Sequence, residues 1–271
     1  MTNLKEIIET AVQSAVNAGL EILKVYETEN FDIEYKQDES PLTRADKNSH
    51  NKIMSILENT GYPILSEEGN IPEYEERKNW TEFWCIDPLD GTKEFIKRNG
   101  DFTVNIAFIR NQKAIAGVIY VPVTKELYFG DTQNGAYKIE SFSYSDSKLL
   151  YSELLDAAKK LPLENIEKNK YTVVASRSHM NKETADFIEK LKQRNGNEID
   201  IISRGSSLKL CMVAEGKADI YPRFAPTMEW DTAAGSAIVN AAGGKVINAK
   251  TNEELLYNKE NLLNPWFIVE R

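Results

Sequence analysis

The stretch Phe83-Trp84-Cys85-Ile86-Asp87-Pro88-Leu89-Asp90-Gly91-Thr92 constrains this chain more than any other part of it. An apolar run of this kind reads as a strand in the protein interior, yet it ends on a carboxylate. Pro88 fixes the next φ at the second position of a turn, which brings Asp90 back beside Asp87 three residues later. Gly91 and Thr92 then open a helix, whose first N–H groups have no partner within the helix and point out of the same turn. A pair of carboxylates and a cradle for an anion therefore share one strand end.

Two further segments repeat the pattern of acids next to apolar residues. Ile64-Leu65-Ser66-Glu67-Glu68-Gly69 is an apolar strand running into paired acids and a glycine. Met228-Glu229-Trp230-Asp231-Thr232-Ala233-Ala234-Gly235 places Asp231 just before a helix of small residues, where an N-cap is its ordinary role. Taken singly, a solvated loop tip and a helix cap explain these acids. Together, in a chain whose histidines are His50 and His179 alone, they describe an all-oxygen site for hard divalent cations. Mg²⁺ prefers carboxylates, water and substrate phosphate. A hydrolase also needs an oriented water. The Thr92 hydroxyl is placed to hold one, and Asp46, within Ser40-Pro41-Leu42-Thr43-Arg44-Ala45-Asp46 at the start of a helix, is its natural partner.

The rest of the chain supplies the frame. Apolar positions from Leu4 to Tyr26 follow helical spacing, with Asn3 and Glu6 as a capping box, and a second helical pattern runs over 45–59 and stops at Gly61. Short β-branched or aromatic runs at 62–66, 83–87, 102–110, 114–121 and 127–130 read as strands of a largely antiparallel sheet. Residues 141–170 are rich in Ser, Lys, Glu and Leu and read as a connection holding at most one helix, 152–160. Strands at 171–175, 198–202 and 218–221 then alternate with helices at 182–194, 206–215 and 232–241. The expectation is an α+β or α/β chain with an N-terminal lobe, 1–141, that carries most of the acids, and a C-terminal α/β lobe, 142–271.

Length and composition exclude several alternatives. At 271 residues the chain can bury a substantial core, and it needs no disulfide staples. Cys85 and Cys211 sit in apolar strings and read as buried, inert thiols. Lys and Arg number 33 against 42 Asp and Glu, a net charge of −9 that disfavours a nucleic-acid polymer as partner. No apolar run reaches the ~18–20 residues of a membrane span. The N-terminus lacks the pattern of a signal peptide, so a cytoplasmic location is the expectation.

Glu67-Glu68, Asp87-Pro88-Leu89-Asp90-Gly91-Thr92 and Trp230-Asp231 resemble the signature of the Mg²⁺-dependent, lithium-sensitive phosphatases of the inositol monophosphatase superfamily. Lys93-Glu94-Phe95-Ile96, Ala175-Ser176-Arg177-Ser178-His179, Gly205-Ser206-Ser207-Leu208-Lys209 and Ala218-Asp219-Ile220-Tyr221-Pro222-Arg223 are similar to its branch of 3′(2′),5′-bisphosphate nucleotidases of the CysQ type. The resemblance covers about residues 36–244 and implies a layered α-β-α-β-α sandwich. It implies that Glu67, Asp87, the Leu89 carbonyl, Asp90 and Asp231 hold two or three Mg²⁺, with Glu67, Asp46 and Thr92 serving catalysis. The scissile phosphate would rest on Asp90, Gly91 and Thr92, and the remainder of the substrate on Ser176, His179, Ser206, Lys209 and Arg223. The implied reaction removes the 3′-phosphate from adenosine 3′,5′-bisphosphate or 3′-phosphoadenosine 5′-phosphosulfate. An inositol or sugar phosphatase with the same metal core is the alternative. Whether the chain acts as monomer or homodimer stays open.

Overall fold

The computed structural model describes residues 2–28, 31, 33–35, 41–143, 149–166, 168, 170–175, 181–195 and 198–271. Its first helix, α1 (Leu4–Tyr26), starts where the Asn3 side chain accepts the Lys5 amide proton and buries the stripe Ile8, Val12, Ala15 and Ile22. A two-strand ribbon, β1 (Glu34–Tyr35) and β2 (Pro41–Leu42), leads into α2 (Arg44–Leu57), which packs along α1. Next come β3 (Ile64–Ser66), a short α3 (Tyr74–Arg77), β4 (Glu82–Asp90) and α4 (Thr92–Ile96). The strands β5 (Thr103–Arg110), β6 (Lys113–Val121), β7 (Glu126–Asp131) and β8 (Gly135–Ile139) form an antiparallel meander. After α5 (Tyr151–Ala157), β9 (Lys159–Lys160) pairs with β8 and completes a seven-stranded sheet of order β3-β4-β5-β6-β7-β8-β9, antiparallel except for β3 with β4.

The second sheet is built from β10 (Tyr171–Ala175), β11 (Ile199–Ser203), β12 (Ile220–Arg223), β13 (Lys245–Asn248) and β14 (Phe267–Glu270) in the order β11-β10-β12-β14-β13. Between its strands the chain forms α6 (Lys182–Arg194), α7 (Leu208–Glu215) and α8 (Glu229–Ala241). Helices α1 and α2 cover one face of the large sheet, α7 and α8 lie between the two sheets, and α6 covers the far face of the small one. This is the α-β-α-β-α sandwich. Strand β4 explains why its sequence does not alternate between apolar and polar: Trp84 and Ile86 enter the core beneath α1 and α2, while Phe83 and Cys85 enter the core beneath α8. Period 2 then puts Asp87 on the α8 side.

The middle layer is packed unusually close. Gly117 of β6 lies against the backbone of Ala234, and a Cβ there would collide with the Ala234 carbonyl; Gly235 similarly faces the Leu210 side chain of α7. The small residues that mark 232–241 in the sequence are therefore what lets α8 approach the sheet. The far end of α7 is fixed by Glu215, whose buried carboxylate accepts from Tyr128 at 2.5 Å and pairs with Lys138 at 2.8 Å.

Several boundaries differ from the sequence expectation. Helix α7 begins at Leu208 rather than 206, because Ser206 adopts a left-handed φ of 52°. Helix α8 begins at Glu229, three residues before the expected start, so Asp231 lies inside its first turn. Strands β1, β2, β8, β9, β13 and β14 and helix α3 were not expected; β9 falls in the 141–170 segment read as a connection without strands. Both cysteines are free and buried, and among the described residues no helix is long and apolar enough to cross a membrane. Replacing Gly117 by Ala should lower the free energy of unfolding by about 1–3 kcal/mol, since the Ala234 backbone cannot step aside. Urea denaturation checks this.

Candidate active site

The site begins with an irregularity in β4. Asp87 pairs with Asn105 and Asp90 pairs with Thr103, so three steps along β4 match two along β5. The additional residue is a bulge at Pro88-Leu89, where proline offers no N–H to the ladder. Without it, Asp87 and Asp90 would point to opposite faces of the sheet. With it they share the α8 face. Asp87 Oδ1 accepts the Leu89 amide proton at 3.0 Å, which holds the turn. Gly91 follows at φ 93°, and a Cβ there would press on the Asp101 carbonyl at 3.2 Å and Ser206 Cβ at 3.3 Å.

Glu67 arrives from the neighbouring strand. Its amide donates to the Ile86 carbonyl at 3.2 Å, which extends the parallel β3–β4 pairing by one residue and sets Glu67 beside Asp87. Asp231 arrives from α8. Its Oδ2 accepts the Met228 amide proton at 2.8 Å, so it caps the helix from the third position inside it. Oxygens of Glu67, Asp87 and Asp231 all lie within 4.8 Å of one another. Asp87 and Asp231 are held well above the usual carboxylate range: burial is the main cause in each, reinforced by Glu67 and Asp90 around Asp87 and by Asp90 and Glu67 around Asp231. Buried, mutually repelling, hard oxygen donors fit a divalent cation.

Asp90 is engaged differently. Its Oδ2 accepts from the Ser206 and Ser207 hydroxyls, both at 2.7 Å, and lies 3.4 Å from Asn105 Nδ2. Asp46, 2% exposed, accepts at Oδ2 from the Thr43 amide (2.7 Å) and hydroxyl (2.6 Å), and at Oδ1 from the Thr92 hydroxyl at 3.2 Å. Burial raises its pKa despite these donors. Glu67, Asp87, Asp90, Thr92 and Asp231 border a cleft of about 290 Å³ whose wall also includes Leu89, Gly91, Ser206, Lys209 and Arg223, and Asp46 lies behind Thr92.

Lys209 is not a solvated helix lysine: it is 7% exposed, and its ammonium donates to the Ser206 carbonyl at 2.5 Å. Burial lowers its pKa to about 8, against an opposing pull from Asp90. Arg223 donates to the Pro226 carbonyl at 3.1 Å, while its Nε is buried without a partner. Ser176 and His179, as well as Ser40, lie outside the described residues. Sequence reasoning missed Arg204, which borders the cleft and pairs with Asp101 at 2.9 Å. It also missed Thr103, Asn105 and Ser207. A signal existed for Asn105: an amide amid the buried run of β5 needs a polar partner.

The model of the inositol monophosphatase family matches residues 3–267. The chain is 40% identical over 266 residues to the 3′(2′),5′-bisphosphate nucleotidase CysQ of Salmonella typhimurium, covering 97% of this chain and 99% of that protein. To its counterpart from Escherichia coli strain K12 it is 41% identical, with the same coverage. Among solved structures, CysQ from Bacteroides thetaiotaomicron, described as a bacterial member of the inositol monophosphatase family, superposes with a TM-score of 0.91 at 50% identity over 99% of this chain and 98% of that one. An inositol monophosphatase from Anabaena superposes at 0.69 with 25% identity, over 99% and 92%.

The acid cluster predicts a stability signature. In metal-free protein the folded state keeps protons on Asp87 and Asp231 that the unfolded chain has already released, so stability falls as pH rises from the ordinary carboxylate range through the raised values. Mg²⁺ should reverse the trend, and the Tm increment it produces should grow between pH 5 and 8 (about the range in which ligand protons are displaced). A pH-independent increment in scanning calorimetry would contradict the cluster as the binding site.

Proposed function

The chain belongs to the inositol monophosphatase family, and from that premise we propose that it is a magnesium-dependent 3′(2′),5′-bisphosphate nucleotidase. Its substrates would be adenosine 3′,5′-bisphosphate and 3′-phosphoadenosine 5′-phosphosulfate, and its products AMP or adenosine 5′-phosphosulfate and inorganic phosphate. The observation that carries this reading is a single cleft whose lining divides into the acid cluster Glu67, Asp87, Asp231 and the cations Lys209 and Arg223. A substrate with two separated anionic groups suits that division, and CysQ relatives cover nearly the whole chain.

Glu67, Asp87, Asp90, Asp231 and the Leu89 carbonyl are the groups that would hold two or three Mg²⁺. Bound there, magnesium supplies a water of lowered pKa and neutralises a phosphate dianion that the carboxylates would otherwise repel. The protein's own groups do the rest. Thr92 donates a hydrogen bond to Asp46, which leaves the threonine oxygen lone pairs to accept a hydrogen bond from the attacking water and fix its direction. The turn amides at Gly91 and Thr92 receive the phosphoryl oxygens. Water adds to phosphorus as the bond to the 3′-oxygen breaks, and in net the one proton this water gives up is matched by the one the leaving oxygen takes from solvent to become the ribose hydroxyl. Lys209 and Arg223 receive the second anionic group, Arg223 by a guanidinium suited to two-point contact.

Two expectations test the reading. Asp90→Asn removes charge with little change of volume and should abolish Mg²⁺-dependent phosphate release while the circular dichroism spectrum is retained. Near-wild-type turnover at saturating Mg²⁺ would sink the assignment. Arg223→Ala should weaken hydrolysis of adenosine 3′,5′-bisphosphate more than that of a simple monophosphate, and the bisphosphate KM should climb as pH passes about 8, where Lys209 loses its charge. Equal losses on both substrates favour the inositol or sugar phosphatase reading.

A further inference from the structure

We infer that Ser207, held by Asn105, is a positioning residue that orients Asp90 toward the cation; the inference rests on Asp90 being a magnesium ligand. Ser207 occupies the N-cap position of α7, where a serine ordinarily accepts a backbone amide proton, yet its side chain makes no cap bond. The hydroxyl, 1% exposed, turns inward instead. It lies 2.7 Å from Asp90 Oδ2 and 3.0 Å from the Asp231 carbonyl, and it receives a hydrogen bond from Asn105 Nδ2 at 2.9 Å. One side chain thus touches the bulged end of β4, the centre of β5 and the first turn of α8.

Counting protons singles Ser207 out. Asn105 Oδ1 can only accept, so the Thr103 hydroxyl at 2.9 Å must be its donor. That leaves the Thr103 oxygen to accept, and the Ser206 hydroxyl, 2.7 Å from it, is divided between Thr103 and Asp90. Ser207 has one other acceptor in reach, the Asp231 carbonyl at 3.0 Å, against 2.7 Å to Asp90 Oδ2. The Asp231 carbonyl already accepts within α8, and a carboxylate attracts the proton more strongly than a neutral carbonyl. Asn105 fills a lone pair of Ser207 and leaves its proton directed at Asp90. With Oδ2 fixed in this way, the carboxylate cannot rotate, and Oδ1 is the oxygen left for the cation. A ligand held by a neighbour in this manner is pre-organised, and loss of such a neighbour commonly lowers metal affinity about 10- to 100-fold.

The test is calorimetric titration of metal-free protein with Mg²⁺, using Asp90→Asn to identify the phase of binding that depends on Asp90. In that phase Ser207→Ala should raise the Mg²⁺ dissociation constant about tenfold or more, and Ser207→Thr, which keeps the hydroxyl, should restore most of it. Asn105→Ala should give a smaller loss in the same phase. A merely structural role would instead lower the metal-free Tm and leave Mg²⁺ affinity alone. In kinetics, the Ser207→Ala defect in kcat should recover at saturating Mg²⁺ with KM for adenosine 3′,5′-bisphosphate within about twofold of wild type. Wild-type Mg²⁺ affinity in Ser207→Ala overturns the inference. If that variant does not fold, wild-type affinity in Asn105→Ala overturns it equally. Phosphate release by the wild type judges the nucleotidase reading separately, since Mg²⁺ binding without turnover removes that reading and not the role of Ser207.

Discussion

Carboxylates that repel one another are brought to a common point, and three separate devices are needed to keep them there. The bulge at Pro88-Leu89 turns Asp90 to the face that Asp87 already occupies. The one-residue extension of the β3–β4 pairing carries Glu67 alongside, and the first turn of α8 delivers Asp231 from more than a hundred residues downstream. Burial adds to the repulsion, because charge is least welcome where water is excluded. A fold that holds such a cluster must recover the cost elsewhere, either by keeping protons on the acids or by admitting a cation. The first describes the metal-free protein and the second the working enzyme.

The backbone that carries the acids is held by the two cores on either side of the large sheet. Because β4 is covered on both faces, its backbone is held along its whole length and the irregularity at its end cannot relax into solvent. Helix α8 contributes differently. Its small residues let it sit almost on the backbone of β6, which leaves little freedom to the turn bearing Asp231. Tight packing far from the chemistry thereby fixes the distance between acids that would otherwise move apart.

Around this centre, polar side chains are used according to what they can donate. Asp46 is filled by Thr43 and Thr92, and Asp90 by the serines at the head of α7. Lys209 lies folded under the cleft with its ammonium on backbone carbonyl oxygen, so it contributes positive potential without the mobility of a surface lysine. Its depressed pKa and the raised ones of Asp87 and Asp231 have a common origin, since burial disfavours whichever form carries charge.

Much of this was written in the residue order. The strand that stops at an acid, the proline that fixes the turn after it and the helix that Gly91 and Thr92 open are local events, decided by the stereochemistry of a few adjacent residues, and the motif around Asp87 to Thr92 was legible for that reason. Edge elements were less so: β9 has only two exposed lysines and takes its identity from β8, and α3 is a single turn. The partners of Asp90 were invisible for a deeper reason. Asn105 looks like an interruption in an apolar strand and Ser207 like one more residue in the first turn of a helix until β5 and α7 are placed against the end of β4. Sequence fixes which groups are available and how each turn bends. Only the packed sandwich decides which donor meets which oxygen, because hydrogen bonds and like-charge contacts act over a few ångströms between segments whose separation along the chain carries no such information.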